Sequence, residues 1–237
     1  MLAGSNTLVL DLVTRLSPEA CRHCGTRRTE HLVGTMACVT GHFTQFEPVG
    51  WKTPSVLGLS IGCYYDYQDA TVHWFDPSTL PATVRTLVDR QPLLVSFHGL
   101  QRSFPVMHDV CMENSPHRGG AAFTVLYRAS YDIFDQIGLV DPSQYKEWTL
   151  YSLPVLAQAN GYGAKVLDDS LIPMRWSLGR YAKVLNACQT RVGQIKGLFE
   201  TIITTGHLRR GDGLPMHLPL PCGYAVDTSA HTGKGTS

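Results

Sequence analysis

The sequence holds no run approaching the roughly 18 consecutive apolar residues that a membrane-spanning helix needs, so no bilayer-crossing segment is expected. It also lacks an excess of either charge. With 20 Lys and Arg against 19 Asp and Glu, the net charge is +1. No overall field therefore draws the chain to nucleic acid, and any such contact needs a local patch. Arg22, Arg27 and Arg28 form one basic group and Arg209-Arg210 another; both read as solvated clusters rather than grooves. The start of the chain lacks the basic residues and apolar stretch of a secretory leader. Its 7 cysteines are odd in number and irregularly spaced, in a chain too long to need disulfide staples. Reduced thiols and a cytoplasmic setting are the expectation, with no membrane partner. No internal repeat is present.

What the sequence has is the composition of a packed protein. Its 237 residues, 43% hydrophobic and 9% aromatic, suit one α/β domain over residues 1–223, followed by a flexible tail at 224–237 that is rich in Thr, Ser, Gly and Lys. Thr7 to Leu12 is a short, branched, apolar run suited to a strand buried on both faces. Ser55 to Tyr67 and Ala70 to Phe75 read as paired strands about a turn at Gln68-Asp69. Asp76-Pro77-Ser78 opens a helix with Leu80, Val84, Leu87 and Val88 on one face. Leu93 to Phe97 is a second buried strand, and a short helix over Phe104 to Met112 follows it. The spacing then predicts a helix from Thr149 to Asn160, a long one from Arg175 to Thr205 ending at Gly206, and a closing hairpin over His207 to Pro219.

Several segments carry more than a fold. Leu8-Val9-Leu10 delivers an acid in Asp11-Leu12-Val13-Thr14. Leu93-Leu94-Val95-Ser96-Phe97-His98-Gly99 leads to Phe104-Pro105-Val106-Met107. Asn186-Ala187-Cys188-Gln189-Thr190-Arg191-Val192 precedes Ile195-Lys196-Gly197-Leu198-Phe199-Glu200 and Gly206-His207-Leu208. In order and spacing these resemble the DEDD-type 3′–5′ exonuclease branch of the ribonuclease H-like fold. The subgroup that is most similar is the bacterial predicted exonucleases that read D-L-E-T, F-N-G-x-x-F-D-x-P and D-V-x-x-T-x-x-L-F-E-x-G. The resemblance covers most of residues 5 to 221. It implies a ribonuclease H-like mixed sheet flanked by helices, with a cysteine-containing insert at 15–50 after the first strand.

The resemblance also implies a chemistry. In that family four carboxylates hold two Mg²⁺ or Mn²⁺ ions about 3.5–4 Å apart for phosphodiester hydrolysis. Asp11 matches the first acid. The second falls on Val13, the third on Ser103 and the fourth on Arg191; none of these side chains is a carboxylate, and such ions demand oxygen ligands. The residue that orients the attacking water falls near Asn186 or Ala187. Asp132 matches a further acid of the subgroup, so Asp11 and Asp132 are expected as residual acids facing across the old pocket, with Arg191 in position to pair with one of them. Two alternatives stay open: Asp11 and Asp132 as caps of helices or loops, and a shifted register that recruits Asp109 or Glu113 as the third acid. His98 stands where the subgroup has Asn.

The insert has a pattern of its own. Cys21, Cys24, Cys38 and His42 form C-x2-C-x13-C-x3-H, two close pairs bridged by a dozen or so residues, which is ligand spacing for a structural zinc ion. Unrelated thiols, or a redox pair at Cys21 and Cys24, are the alternatives. Cys63, Cys111, Cys188 and Cys222 are expected in the core.

The functional expectation is a ribonuclease H-like, exonuclease-related domain that has lost catalysis and serves nucleic-acid or protein-partner binding. It competes with an active Mg²⁺- or Mn²⁺-dependent 3′–5′ exonuclease with a remodelled site, and with a structural subunit of a larger assembly.

Overall fold

The computed structural model describes residues 6–14, 19–21, 46–48, 57–114, 123–142, 147–164 and 171–224. Strand β1 (Thr7–Thr14) is buried along its whole length. The insert that follows begins and ends in a two-stranded antiparallel pair, β2 (Glu19–Cys21) with β3 (Phe46–Pro48). Next come β4 (Leu59–Asp66) and β5 (Thr71–Phe75), joined as a hairpin; helix α1 (Leu80–Arg90); and β6 (Leu93–Ser96). A π-helical turn at Gly99–Ser103 runs straight into α2 (Phe104–Asn114). After a helical turn α3 at 123–128, β7 (Ser130–Asp132) leads into α4 (Ile133–Val140). Helices α5 (Trp148–Tyr151), α6 (Leu153–Ala159), α7 (Ile172–Ser177) and α8 (Tyr181–Thr205) precede a closing hairpin of β8 (His207–Arg209) and β9 (Pro215–His217).

The main sheet is mixed, in the order β5-β4-β1-β6-β7. Numbered among themselves, its strands run 3-2-1-4-5. β4 lies antiparallel to β1, whereas β6 is parallel to β1 and β7 to β6. A parallel crossover needs a covering helix, and α1 supplies the one between β5 and β6. Because side chains alternate along a strand, the apolar residues of β1 divide between two cores. Leu8, Leu10 and Leu12 join Leu80, Val84 and Leu87 of α1 and Phe104 and Met107 of α2. Val9 and Val13 join Val184, Cys188, Ile195 and Ile202 of α8 on the other face. β1 is thus the layer common to both cores, which is why it carries no outward polar alternation.

Two expected helices are each broken. The run over Thr149 to Asn160 divides at Ser152, which is extended (ψ 147). Pro154 has no N–H to donate and its ring opposes the carbonyl four residues back, so the helix restarts with the proline in its first turn. The run from Arg175 to Thr205 divides at Gly179, whose φ of +69 no continuing helix adopts. The C-terminal signal did act as expected: Gly206 (φ 74) caps α8 by donating to the Ile202 carbonyl.

Tyr224 belongs to the folded body, not to the tail expected from 224 onward. Its hydroxyl meets Thr7 Oγ1 at 2.8 Å and its ring packs against Phe199. The rest of the expected tail lies outside the described residues. Cys63, Cys111 and Cys188 are buried as expected, but Cys222 is exposed, because it falls in the turn past the last strand. Among the described residues no helix is long and apolar enough to cross a membrane.

Candidate functional site

In an open α/β sheet a crevice forms where chain connections leave neighbouring parallel strands in opposite directions, outside their carboxyl ends. Here that point lies between β1, whose chain turns toward β4, and β6, whose chain turns toward β7. Asp11 lies in β1 two residues past the last β1–β6 pair, Val9 with Val95, and the π-helical turn after β6 packs against β1.

Asp11 is 2% exposed and points to the α8 face. On α8, the residues Val184, Cys188, Ile195, Leu198 and Ile202 recur at helical spacing as one buried stripe. Arg191 falls within that stripe, one turn beyond Cys188. Its Nε lies 2.5 Å from Asp11 Oδ2, with the Arg191 side chain 15% exposed. A charge in the middle of an apolar stripe is costly unless paired and hydrogen-bonded, and Asp11 is the pairing group. The two neighbouring positions are packed with thiols. Cys63 sits directly across the ladder from Asp11, and Cys188 Sγ lies 3.6 Å from the Asp11 carbonyl. Contact with Cys63 and then burial push the Cys188 thiol well up, so it is held as the neutral thiol.

At the other positions that the resemblance assigns to acids, no carboxylate stands. Val13 is buried in the α8-side core, opposite Ile61. Ser103 is buried at the end of the π-helical turn. Ala187 is buried and Asn186 faces solvent. Asp109 is half-exposed beside His108, and the Glu113 side chain lies outside the described residues.

Asp132 does not share a pocket face with Asp11. Val95 pairs with Tyr131 and lies level with Val9, all three within the α8-side core. Ser96 and Asp132 are one residue further along, so they point to the opposite face. The Asp132 carboxylate is fully engaged there. It accepts from the backbone N–H groups of His98 (3.0 Å), Leu100 (3.1 Å) and Phe134 (3.0 Å), and from the Ser96 hydroxyl (3.1 Å). It is the N-cap of α4 and the clasp of the turn after β6, the capping role expected for it as an alternative.

The backbone at this point departs from regular structure. His98 adopts the left-handed region (φ 61) immediately before the π-helical turn. Both features concentrate at functional or strained positions. The His98 ring packs against Phe134, tilted by 31°, at 3.5 Å between centroids. Burial, then the Arg102 and Arg191 charges, lower its pKa to about 2, so it is neutral. A residue signal existed, since His, Asn and Asp are the non-glycine residues enriched at positive φ.

Compared with known proteins, the chain matches no family model and no curated sequence.

The insert's candidate zinc ligands are only touched by the described residues. Cys21 ends β2, its backbone paired with Phe46; Cys24, Cys38 and His42 lie outside them. Among the described residues, Asp66, Asp69 and His73 place ligand atoms within 4.8 Å of one another at the β4–β5 turn. Their valences are already used. Asp66 binds Arg90 through both oxygens, at 2.5 and 3.2 Å, and Asp69 accepts from Thr71 and contacts His73 at 2.7 Å. Of the basic clusters, Arg210 is taken up inside the fold by Asp141, Tyr151 and Asp212. It therefore presents no free guanidinium to phosphate. A cleft of about 260 Å³ beside it is lined by Val140, Leu214 and His217, away from Asp11.

Proposed function

We propose that this chain is a ribonuclease H-like domain of the 3′–5′ exonuclease type whose carboxylate centre has been replaced by a buried ion pair, and that it serves as a non-catalytic binding domain for nucleic acid or a protein partner. The sheet order 3-2-1-4-5, with only the second strand reversed, supports the fold half of this reading. The observation that carries the functional half is Arg191 seated on Asp11.

Two-metal hydrolysis needs oxygen ligands around each ion, one to activate water and one to stabilise the leaving oxygen. Asp11 is the single matched acid on the pocket face, and its charge is spent on a guanidinium. An ion at this point would meet Arg191 at close range. At ~4 Å and an effective dielectric of ~20, each unit of like charge adds about 4 kcal/mol of repulsion, so a divalent ion faces roughly twice that. Arg191 cannot simply swing away, because its withdrawal strips the buried Asp11 carboxylate of the guanidinium paired with it.

The test is a trimming assay with the full chain on 3′-labelled single-stranded RNA and DNA in Mg²⁺ or Mn²⁺, run beside a binding measurement on the same oligonucleotides. Intact 3′ ends are expected whether or not the oligonucleotides bind. Binding would assign the partner as nucleic acid, and its absence would leave a protein. Metal-dependent shortening by the unmodified chain overturns the proposal.

A further inference from the structure

The closing hairpin carries a second constellation that the Asp11 region does not involve. His207 and His217 are directly opposite each other on β8 and β9. The register also fixes which kind of pair they are. Leu218 N–H donates to the Gly206 carbonyl (3.1 Å) and Arg210 N–H to the Leu214 carbonyl (2.9 Å), so pairs 206/218 and 210/214 are hydrogen-bonded ones. In an antiparallel ladder the types alternate, which makes 207/217 a non-hydrogen-bonded pair, the type whose side chains approach more closely. Leu208 and Met216, the alternate residues, face the core. Both imidazoles therefore stand together on the outer face, with ring centroids 5.6 Å apart.

The tautomer of one ring follows from its partner. His207 Nδ1 lies 3.1 Å from the Thr205 carbonyl oxygen, which can only accept, so Nδ1 carries the proton and the Nε2 lone pair is free. A ligating histidine is commonly held by this kind of outer bond. Thr205 is also the last residue of the 25-residue helix α8, and the negative end of a helix dipole favours a cation. Among the described residues the His217 ring makes no hydrogen bond. Arg209 shares the outer face, but its guanidinium reaches to the Gly213 carbonyl at the hairpin tip (3.4 Å).

We propose that His207 and His217 form a two-imidazole chelate for a borderline divalent transition-metal ion of the Zn²⁺ class. An ion roughly 2.0–2.1 Å from each nitrogen at a tetrahedral angle holds two imidazole centroids about 5 Å apart. The observed 5.6 Å is within side-chain adjustment of that value, with no backbone movement. Two further coordination positions face outward, open to water or to a donor from another molecule. This site shares no residue with the Asp11–Arg191 pair or with the Cys21, Cys24, Cys38 and His42 set.

The experiment is a ZnCl₂ titration of the full chain, following the histidine side-chain ¹⁵N resonances. Each histidine is then read separately, whatever the cysteines bind. The Nε2 signals of His207 and His217 should move together along one curve. His207→Ala should weaken the response at His217 by more than about tenfold, and His217→Ala should do the same to His207. His73→Ala should leave both curves unchanged. Either histidine responding with an unchanged midpoint in the other's absence, or neither responding to excess zinc, overturns the proposal.

Discussion

His98 is a neutral imidazole buried against Phe134 and flanked by Arg102 and Arg191, with its pKa lowered from an ordinary 6.5 to about 2. Below pH 6.5 the unfolded chain takes up a proton at this residue that the native state refuses. The stability it contributes is fully present above pH 6.5 and is lost as pH falls toward 2, by up to about 1.4 kcal/mol per pH unit. His98→Asn keeps a residue that tolerates the left-handed backbone but removes the titration. Denaturant unfolding between pH 6 and 4.5 should therefore show a shallower acid loss in the variant; equal slopes would show that His98 is protonated in the fold. Gln194 is the other residue out of keeping with its surroundings. It is 3% exposed, and both of its amide atoms lack a hydrogen-bond partner among the described residues. Gln194→Met removes two unsatisfied polar atoms at similar volume and should raise the unfolding free energy by about 1–2 kcal/mol. No gain would mean that the amide is satisfied by water.

The contact between β1 and α8 is the element on which the account turns, and it makes a sharper demand than either residue alone. Breaking a buried ion pair leaves an uncompensated charge and costs about 3–5 kcal/mol, whereas replacing both partners by apolar groups is often neutral or stabilising. Arg191→Met and Asp11→Leu should each destabilise by that amount, and the double variant should return to within about 1 kcal/mol of the parent. Additive losses would mean that the two side chains do not act as a pair. Much of this element was legible in the sequence. The apolar residues of β1 on both sides of Asp11 announce a strand covered on both faces, and the helical spacing of Val184, Cys188, Ile195 and Ile202 fixes which side of α8 is buried. That spacing places Arg191 in the same stripe as its apolar neighbours. Asp132 was not legible in the same way, because a single residue of register decides which face of a sheet a side chain takes. Its neighbours along the chain carry no signal of that parity. The π-helical turn after β6 has no residue code comparable to a cap or a turn dipeptide. The breaks at Ser152 and Gly179 were written in Pro154 and Gly179 themselves, but a continuous apolar period masked them.

For the molecule as a whole, the near-balanced charge of +1 and the internal use of Arg210 leave specificity to local geometry rather than to a long-range field. Past the paired ends of β1 and β6, the Asp11 carboxylate is taken up by the Arg191 guanidinium. The central claim is that no divalent ion binds there. Paramagnetic broadening of backbone amide resonances by Mn²⁺ reads this directly, because broadening falls off steeply with distance from the ion and maps a site residue by residue. At stoichiometric Mn²⁺ the amides of Asp11, Leu12 and Val13 should stay sharp in the unmodified chain. They should also stay sharp in Arg191→Asp, where Val13 and Ser103 still offer no carboxylate. Broadening centred on Asp11 in the unmodified chain would contradict the account.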